Sequence, residues 1–400
     1  MKIGIIRERK NPPDRRAVFS PSKASEVMKE YPDVEIVVEK SDNRFFSDDS
    51  YRESGIKVVD DLSDCDILLG VKEVPIDALI PNKTYFFFSH TIKKQKHNRK
   101  LLQACLEKNI RLIDFETLVD DSGHRLIGFG RYAGIVGAYN TLRTFGIKYE
   151  LFNLVKAEGL QHQNELIERL KRPYLPPIKI VLTGFGKVGK GAKEMLDGMK
   201  MKEVSIDDFL SKSYDVPVYT HIDTKDYYKR IDGQDFDKQD FYLHPEKYTS
   251  NFERFSQEAD VFIAGHFYKN GSPKILTREM LNAAKNTIKV IGDISCDVDN
   301  GPIDSTLRVS TIAEPFYGYY PRTGEEVHFE HPGAVVVMAI DNLPCELPQD
   351  ATDGFGEMFT ELILPEILKI ERSEILNRAT ITENGKLRER YLYLEDYVNA

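Results

Sequence analysis

The stretch that decides the fold is IKIVLTGFGKVGKGA, at residues 178–192. An apolar, β-branched run breaks into glycines and then resumes with helical spacing, which predicts a strand, a tight turn and a helix. The glycine pattern G-x-G-x-x-G falls at Gly184, Gly186 and Gly189. A turn of this kind presents unpaired backbone N–H groups and the positive end of a helix to a phosphate. We therefore expect this segment to bind a nucleotide.

Two other interpretations compete for the same glycines. A merely structural turn would have the same composition, but the strand before it and the helix after it favour the dinucleotide motif. The segment from Gly184 to Lys190 also fits the phosphate-transfer pattern G-x-x-x-x-G-K. The next residue is Gly191, whereas that pattern requires a Ser or Thr hydroxyl to hold magnesium. The dinucleotide interpretation is therefore favoured.

The composition limits the classes of partner. The 400 residues carry a formal net charge of -9, which favours solubility and works against binding nucleic acid. No apolar run reaches the roughly 18 residues needed to span a bilayer. The amino-terminal stretch MKIGIIRERK lacks the features of a secretory signal. We expect a cytoplasmic protein that binds neither a membrane nor nucleic acid.

The placement of cysteine and histidine argues against a metal site. The four cysteines are scattered with no C-x-x-C pair, so neither a zinc site nor a disulfide framework is expected. His328 and His331 have H-x-x-H spacing, but they lie in a loop-like segment with no third ligand nearby. We expect no metal.

The order of the predicted elements favours an α/β protein. In the first third, strand-like and helix-like segments alternate, as in a parallel sheet flanked by helices. Helical patterning over residues 134–170 leads through a proline-rich connector at 173–177 into the glycine segment. Residues 226–255 are polar and aromatic, which predicts an insertion. Residues 353–372 have the pattern of a long amphipathic helix interrupted at Pro365.

Two candidate catalytic residues stand where predicted strands end. The strand-like DILLGV is followed by Lys72, and TYFFF is followed by Ser89 and His90. In open parallel sheets, ligands bind beyond the carboxyl ends of the strands. Burial lowers the pKa of a lysine and histidine titrates near neutrality, so this pair suits general acid and base catalysis. Either residue alone is more often structural, and their joint placement carries the prediction.

A basic loop follows the first predicted strand. It contains Arg15 and Arg16, and a guanidinium binds carboxylates in bidentate fashion, so one of them is suited to anchor an acidic substrate. A solvated loop is the alternative. The basic run that begins at Lys93 is ordinarily the exposed start of a helix, although its position after His90 also suits steering of an anionic substrate.

Several longer motifs resemble those of a known family. The resemblance covers nearly the whole chain and includes a match within the predicted insertion. The motifs are GVKEVP at 70–75, FFSHTIKKQ at 87–95, RLIGFGRYAG at 125–134, FDKQDFYLHPEKY at 236–248, GDISCD at 292–297 and AIDNLPCELPQDA at 339–351. Together they are similar to the saccharopine dehydrogenase branch of the alanine dehydrogenase and transhydrogenase superfamily. In particular, they resemble the lysine–2-oxoglutarate reductase portion of the bifunctional plant and animal enzymes.

The resemblance implies an α/β fold with two Rossmann-like domains, whose parallel sheets are separated by an active-site cleft. Residues 1–135, completed by 346–400, would form the catalytic and substrate domain. Residues 136–345 would form the dinucleotide-binding domain. The second enzyme of the bifunctional proteins is not expected within this chain, and a homo-oligomer is one possible assembly.

The resemblance also implies a reaction and the residues that perform it. The side-chain amine of lysine would condense with the ketone of 2-oxoglutarate, and a nicotinamide hydride would reduce the resulting imine to saccharopine, or the reverse. Lys72 and His90 match the acid–base pair of the family. The residues matching its substrate-binding and tuning positions are Arg16, Glu73, Lys93, Glu116 and Arg125.

The cofactor is expected to be NAD(H) or NADP(H), with the choice left open. Asp223 follows the second predicted strand of the nucleotide domain, where an acidic residue bonds the ribose 2′-hydroxyl of NAD, although its spacing from the glycines exceeds the usual value of about 20 residues. Lys225 and Arg230 are nearby candidates for holding a 2′-phosphate. The expected cofactor-binding residues are Gly184, Phe185, Gly186, Lys187, Val188, Gly189, Asp223, Gly265, Asp293 and Leu343.

Two functional alternatives remain. A dehydrogenase of a related amino acid, similar to alanine dehydrogenase, would use the same chemistry on another substrate. A catalytically silent nucleotide-binding module would use the fold as a platform. The presence of Lys72, His90 and Arg16 together argues against the second alternative.

Overall fold

The computed structural model describes residues 1–10 and 13–400. It divides into two compact units, one formed by Met1–Phe129 with Pro348–Ala400 and the other by Gly130–Leu347. The predicted boundary after residue 135 falls inside the helix Gly130–Lys148. Because a helix forms cooperatively, this element belongs as a whole to the second unit.

The elements are numbered in chain order. The strands are β1 (Lys2–Ile5), β2 (Glu35–Glu39), β3 (Lys57–Val59), β4 (Ile67–Leu69), β5 (Thr84–Phe87), β6 (Arg111–Asp114), β7 (Lys179–Thr183), β8 (Lys202–Glu203), β9 (Val218–Ile222), β10 (Tyr228–Arg230), β11 (Tyr248–Ser250), β12 (Val261–Ala264), β13 (Val290–Asp293), β14 (Phe316–Tyr320), β15 (Glu325–Val327), β16 (Val335–Met338), β17 (Thr380–Glu383) and β18 (Lys386–Leu387). The helices are α1 (Pro21–Glu30), α2 (Asp48–Glu53), α3 (Arg99–Glu107), α4 (Gly130–Lys148), α5 (Gln163–Leu170), α6 (Lys187–Gly198), α7 (Ile206–Ser211), α8 (Thr224–Tyr227), α9 (Lys238–Leu243), α10 (Glu253–Ser256), α11 (Arg278–Asn282), α12 (Pro348–Leu362), α13 (Leu364–Ile367), α14 (Glu374–Ala379) and α15 (Glu395–Asn399).

The first unit is built on an eight-stranded sheet in the order β18-β17-β6-β5-β4-β1-β2-β3. The six strands β1 to β6 run parallel. The carboxyl-terminal segment adds β17 antiparallel to β6 and β18 antiparallel to β17. Central strands such as β4 are apolar along their whole length because helices cover both faces of a parallel sheet.

The second unit has its own eight-stranded sheet, in the order β15-β14-β16-β13-β12-β7-β9-β8. The six strands from β8 to β16 in this order are parallel, and β14 and β15 continue the sheet antiparallel. β7 is the strand predicted before the glycines, and α6 is the helix predicted after them. The prediction of an α/β fold with two mostly parallel sheets is confirmed.

Helix boundaries differ from the predicted ones where the chain breaks. The predicted helical stretch 134–170 consists of α4 and α5 with a non-helical segment between them. The predicted helix over 353–372 begins earlier, as α12, and is interrupted just before α13, which carries Pro365 in its first turn. A proline is tolerated there because the backbone N–H groups of the first turn have no partner within the helix.

The predicted insertion at 226–255 forms the antiparallel hairpin β10–β11 and the helix α9. Its aromatic residues help to order it, since the buried ring of Phe241 contacts the buried rings of both Tyr228 and Tyr248. This cluster is continuous with the core of the second unit.

None of the helices among the described residues has the length and apolar character that a membrane span requires.

Candidate functional site

The candidate catalytic residues of the first unit follow neighbouring parallel strands. Beyond β4 and β5, pairing continues through Gly70 and Phe88, whose N–H groups donate to Phe86 at 2.9 Å and to Val71 at 3.1 Å. Lys72 is the next residue on one strand, and His90 lies two residues further on the other. The sheet order therefore places the two predicted acid–base residues at adjacent strand ends, as the sequence pattern indicates.

Glu116 joins three of the other predicted residues. It follows β6, the neighbour of β5, and its side chain is only 5% exposed. Its carboxylate lies 3.3 Å from His90 Nδ1, 3.3 Å from Lys93 Nζ and 3.2 Å from Arg125 Nη2. Burial alone would raise the pKa of Glu116, but the His90 hydrogen bond and the two cations lower it to about 2. This carboxylate is therefore ionised near neutral pH.

Asp114, which the sequence did not lead us to select, stabilises the loops that carry His90 and Glu116 through hydrogen bonds. Its carboxylate accepts the Ser89 backbone N–H at 3.0 Å, the Ser89 hydroxyl, and the Glu116 backbone N–H at 2.7 Å. The residue is fully buried, and burial raises its pKa. His90 itself adopts the left-handed conformation, with φ of 54°, beside the Ser89 backbone that Asp114 holds.

Glu8 is a second residue that the sequence analysis missed. It follows β1, the neighbour of β4, and its carboxylate accepts the backbone N–H groups of Val71 at 2.6 Å and Lys72 at 2.9 Å. Burial and the nearby Asp14 carboxylate raise its pKa to about 8, although these N–H groups and Arg16 act in the opposite direction. The strand-end rule that selected Lys72 would also have selected Glu8.

The predicted substrate arginine is held by an acidic neighbour. Arg16 forms a bidentate pair with Asp14, through Nε at 3.0 Å and Nη2 at 2.6 Å, and its guanidinium lies 4.2 Å from the centroid of the Phe129 ring. Its side chain is 2% exposed. A substrate carboxylate that binds this guanidinium would therefore compete with Asp14.

Glu73 contacts the loop after β1. Its Oε1 lies 3.1 Å from Lys10 Nζ, whereas the buried Oε2 has no hydrogen-bond partner among the described residues. Burial would raise the pKa of Glu73, but its hydrogen bonds and the charges of Lys10 and Lys72 lower it. Glu73 is thus an anionic group beside the predicted lysine.

In the second unit, the glycines of the predicted nucleotide loop divide into two classes. Gly184, with φ of +96°, Gly189 and Gly265 pack against each other. A Cβ on Gly189 would lie 1.7 Å from Gly184 O, and one on Gly184 would lie 2.4 Å from Gly265 O. Gly186 is different, because a Cβ there would meet nothing within 4 Å. Gly184 and Gly189 are required by packing, a Cβ on Gly265 would lie a tight 3.1 Å from Gly189, and Gly186 borders open space at the start of α6.

Aromatic stacking fixes the shape of this loop. The Phe185 ring lies parallel to the His221 ring at 4.1 Å, and His221 Nε2 lies 2.7 Å from Gly184 O. Burial lowers the pKa of His221. Lys187 and Val188 form the first turn of α6, where backbone N–H groups lack partners within the helix.

Asp223 follows β9, which pairs with β7 as the second strand of the nucleotide motif requires. Its Oδ1 accepts the Thr224 N–H at 2.8 Å and caps α8, while Oδ2 lies 4.0 Å from Lys238 Nζ. Arg230, a predicted phosphate partner, is held in an ion pair with Asp232 at 2.6 Å. Lys238 is therefore a cation beside Asp223 that the sequence analysis did not select.

The remaining predicted cofactor residues are buried. Asp293 accepts the Ser295 hydroxyl at 2.6 Å and the Thr306 hydroxyl at 2.7 Å, and burial raises its pKa. Through these contacts the Asp293 carboxylate stabilises the loop that follows β13. Leu343 follows Asn342, whose φ is 66°, and is also buried.

The described residues contain no group of three or more His, Cys, Asp or Glu side chains arranged to hold a metal ion. Of the two histidines with H-x-x-H spacing, His328 is exposed and its Nδ1 lies 3.5 Å from Glu330 Oε2. The ring of His331 packs against the ring of Tyr320.

Comparison with known proteins finds a family model that matches most of the amino-terminal part of the first unit. The family model described as the N-terminal domain of alanine dehydrogenase/PNT matches residues 4–136, which contain Lys72, His90 and Glu116. The match confirms the superfamily resemblance drawn from the sequence motifs.

Similar proteins extend the likeness to almost the whole chain. Mitochondrial alpha-aminoadipic semialdehyde synthase of Mus musculus is 29% identical over 98% of this chain and 47% of its own length. Its counterpart in Arabidopsis thaliana is 29% identical over 98% of this chain and 41% of its own length. The chain thus spans less than half the length of these relatives. Saccharopine dehydrogenase [NAD(+), L-lysine-forming] of Yarrowia lipolytica is 24% identical over 92% of both chains.

Solved structures share the fold of this chain. An L-alanine dehydrogenase superposes with a TM-score of 0.66 at 17% identity, covering 99% of this chain and 100% of that structure. A transhydrogenase from Sinorhizobium meliloti gives a TM-score of 0.58 at 15% identity, covering 97% of this chain and 98% of that structure.

Proposed function

We propose that this chain is an NAD(P)-dependent oxidoreductase that acts on the C–N bond of saccharopine. In the direction of synthesis it would condense the side-chain amine of lysine with the ketone of 2-oxoglutarate and reduce the resulting imine to saccharopine. The observation that supports this proposal is the placement of Lys72, His90 and Glu116 after three adjacent strands of an alanine dehydrogenase-type domain. Its proposed partners are small molecules: lysine, 2-oxoglutarate and saccharopine.

Proton transfer would be the main task of the first unit. The lysine amine must lose a proton before its nitrogen attacks the ketone carbon, and the former ketone oxygen must gain protons to leave as water. The C–N bond forms in the first step, and the C–O bond breaks in the second to leave an imine. Lys72 and His90 would carry these protons, since both are bases that follow neighbouring strands.

Fixed charges would hold the substrates in place. Both carboxylates of 2-oxoglutarate are attracted by cations, and Lys93, Arg125 and Arg16 supply three of them. Glu116 holds the first two through ion pairs and remains anionic, so it orients these cations and the His90 ring. We propose that Glu116 acts by charge and orientation because its low pKa makes it a poor proton donor near neutrality.

The second unit has a suitable surface for the dinucleotide. The open space at Gly186 and the first turn of α6 fit a pyrophosphate, which would accept hydrogen bonds from backbone N–H groups there. Asp223 would bond the adenosine ribose. When bound, the reduced nicotinamide supplies the hydride that the imine carbon receives. The choice between NAD and NADP depends on whether Asp223 repels a 2′-phosphate more than Lys238 attracts it.

The experiment is an assay of nicotinamide oxidation by the purified chain with NADH or NADPH, 2-oxoglutarate and a panel of amines. We expect oxidation that requires lysine and yields saccharopine, identified by mass spectrometry. Oxidation with ammonia and pyruvate but not with lysine would instead identify an alanine dehydrogenase-like enzyme. Tight dinucleotide binding without turnover of any substrate pair would indicate a silent nucleotide-binding module.

A further inference from the structure

The segment RERK, residues 7–10, follows β1 and contacts both β2 and the residues that come after β4. Arg7 and Arg9 face β2, where the Arg7 N–H donates to Glu39 Oε2 at 2.9 Å and the Arg9 guanidinium pairs with the same carboxylate. Glu8 and Lys10 contact the residues that follow β4. This alternation is the one that an extended chain imposes on successive side chains.

The contacts on the β4 side fall on the segment that contains the proposed catalytic lysine. Glu8 binds the backbone N–H groups of Val71 and Lys72, at 2.6 and 2.9 Å. Lys10 pairs with the Glu73 side chain at 3.1 Å. Three successive residues are thus fixed by two side chains of one neighbouring loop.

We propose that Glu8 is a positioning residue for Lys72, because its two carboxylate oxygens fix the peptide groups from which the Lys72 side chain departs. The proposal extends the proposed function, since it assigns to that site a further residue that acts through the lysine.

The electrostatics around Glu8 link this contact to pH. A carboxylate accepts hydrogen bonds at both oxygens, whereas a protonated carboxyl offers one good acceptor, so the double contact favours ionisation. Burial and Asp14 favour the protonated form and raise the pKa to about 8, while Arg16 and the two backbone N–H groups favour the carboxylate. The double contact therefore strengthens as the pH rises through this range.

The first test compares Glu8→Gln with the matched control Glu39→Gln. Each substitution removes one carboxylate that holds the same segment, but only the first changes the contacts of Val71 and Lys72. With lysine, 2-oxoglutarate and NADH or NADPH, we expect Glu8→Gln to lower kcat about tenfold and Glu39→Gln less than about twofold. We also expect the KM for the nicotinamide to stay unchanged. As the pH rises through about 8, we expect kcat to rise in the wild type but not in Glu8→Gln, because only the wild type gains the carboxylate. Equal effects of the two variants on kcat would overturn the proposal.

The second test does not depend on activity. An amine-acylating reagent modifies lysines at rates set by their surroundings, and mass spectrometry gives the rate at Lys72 relative to the exposed Lys100. We expect the ratio of the Lys72 to the Lys100 modification rate to change at least threefold in Glu8→Gln and in the shorter Glu8→Asp. This is roughly the effect of one lost hydrogen bond. The ratio should stay unchanged in Glu39→Gln. An unchanged ratio in both Glu8 variants would reject the role of Glu8. If the Glu8 variants change the ratio but the wild type shows no lysine-dependent turnover, the proposed function is rejected and the role of Glu8 is not.

Discussion

The imidazole Nδ1 of His90 lies 3.3 Å from Oε2 of Glu116. The same carboxylate also contacts Lys93 and Arg125, and these donors hold its pKa at about 2 although it is buried. A carboxylate with so low a pKa keeps its charge throughout a reaction near neutrality. Its contribution is therefore a constant negative charge beside His90, so the proposed proton transfer would fall to His90 and Lys72.

Replacing Glu116 with Gln should remove an acid-sensitive contribution to stability. The pKa of Glu116 in the folded protein, about 2, is below its ordinary value of 4.5, so the stabilisation is present above the unfolded value and is lost as the pH falls from 4.5 towards 2. The shift corresponds to about 3 kcal/mol of unfolding free energy at neutral pH. Urea unfolding between about pH 3 and 6 should show a steeper acid loss in the wild type than in the variant. Parallel curves would contradict this ionisation state.

Lys72→Met and His90→Gln should each lower kcat by about 100-fold or more, because each removes a proposed proton carrier. Dissociation constants for NADH and NADPH, measured by fluorescence titration, should change less than about twofold, since the proposed nucleotide loop lies on the second unit. Lys100→Met is the matched control, as it removes an exposed lysine of the same unit. A variant that loses cofactor affinity but turns over normally at saturation would assign these residues to binding.

Gly186 and Gly189 should respond to substitution in opposite ways. A Cβ at Gly186 would meet no heavy atom within 4 Å beyond its chain neighbours, and the φ of -78° suits any residue, so Gly186→Val should fold normally. The same side chain fills the proposed phosphate position and should weaken dinucleotide binding at least about tenfold. Gly189→Ala instead places a Cβ 1.7 Å from Gly184 O and should destabilise the second unit by about 2 kcal/mol or more. Calorimetric titration and thermal unfolding distinguish the two effects.

Asp14→Asn should reveal whether a substrate carboxylate competes with Asp14 for the Arg16 guanidinium. The variant weakens a buried bidentate ion pair, which should cost about 3 kcal/mol of stability. Because 2-oxoglutarate can supply the missing carboxylate, it should raise the Tm of the variant more than that of the wild type. Equal increases of Tm in the two proteins would show that the ligand does not replace Asp14.

Glu346→Gln should stabilise the protein at alkaline pH. Glu346 is buried, it accepts the Asn140 side-chain N–H at 2.8 Å, and burial raises its pKa to about 7. Because the folded pKa exceeds the ordinary value of 4.5, the favourable contribution is present below that value and is lost as the pH rises through 7. At pH 8 the neutral Gln should therefore add up to about 3 kcal/mol, with little effect at pH 4. A gain that does not depend on pH would contradict the raised pKa.

Local sequence patterns were sufficient to predict the principal elements of the fold. The apolar run before Gly184 is a strand, the segment after Gly186 is a helix, and Lys72 and His90 do follow neighbouring strands. These predictions succeed because hydrophobic periodicity and glycine conformation act over a few residues. β14 was not predicted, although its FYGYY sequence is rich in strand-forming aromatics, because it lies within a loop-rich stretch.

The sequence by itself determined which backbone segments become strands and turns and which side chains stand at their ends, because those properties arise from near neighbours along the chain. Only the tertiary structure decided the partners of those side chains. Glu8 contacts Val71 across 63 positions, and Glu116 contacts His90 across 26. Such pairs form because parallel strands distant in sequence meet at one edge of a sheet, where burial and shared charge then set each pKa.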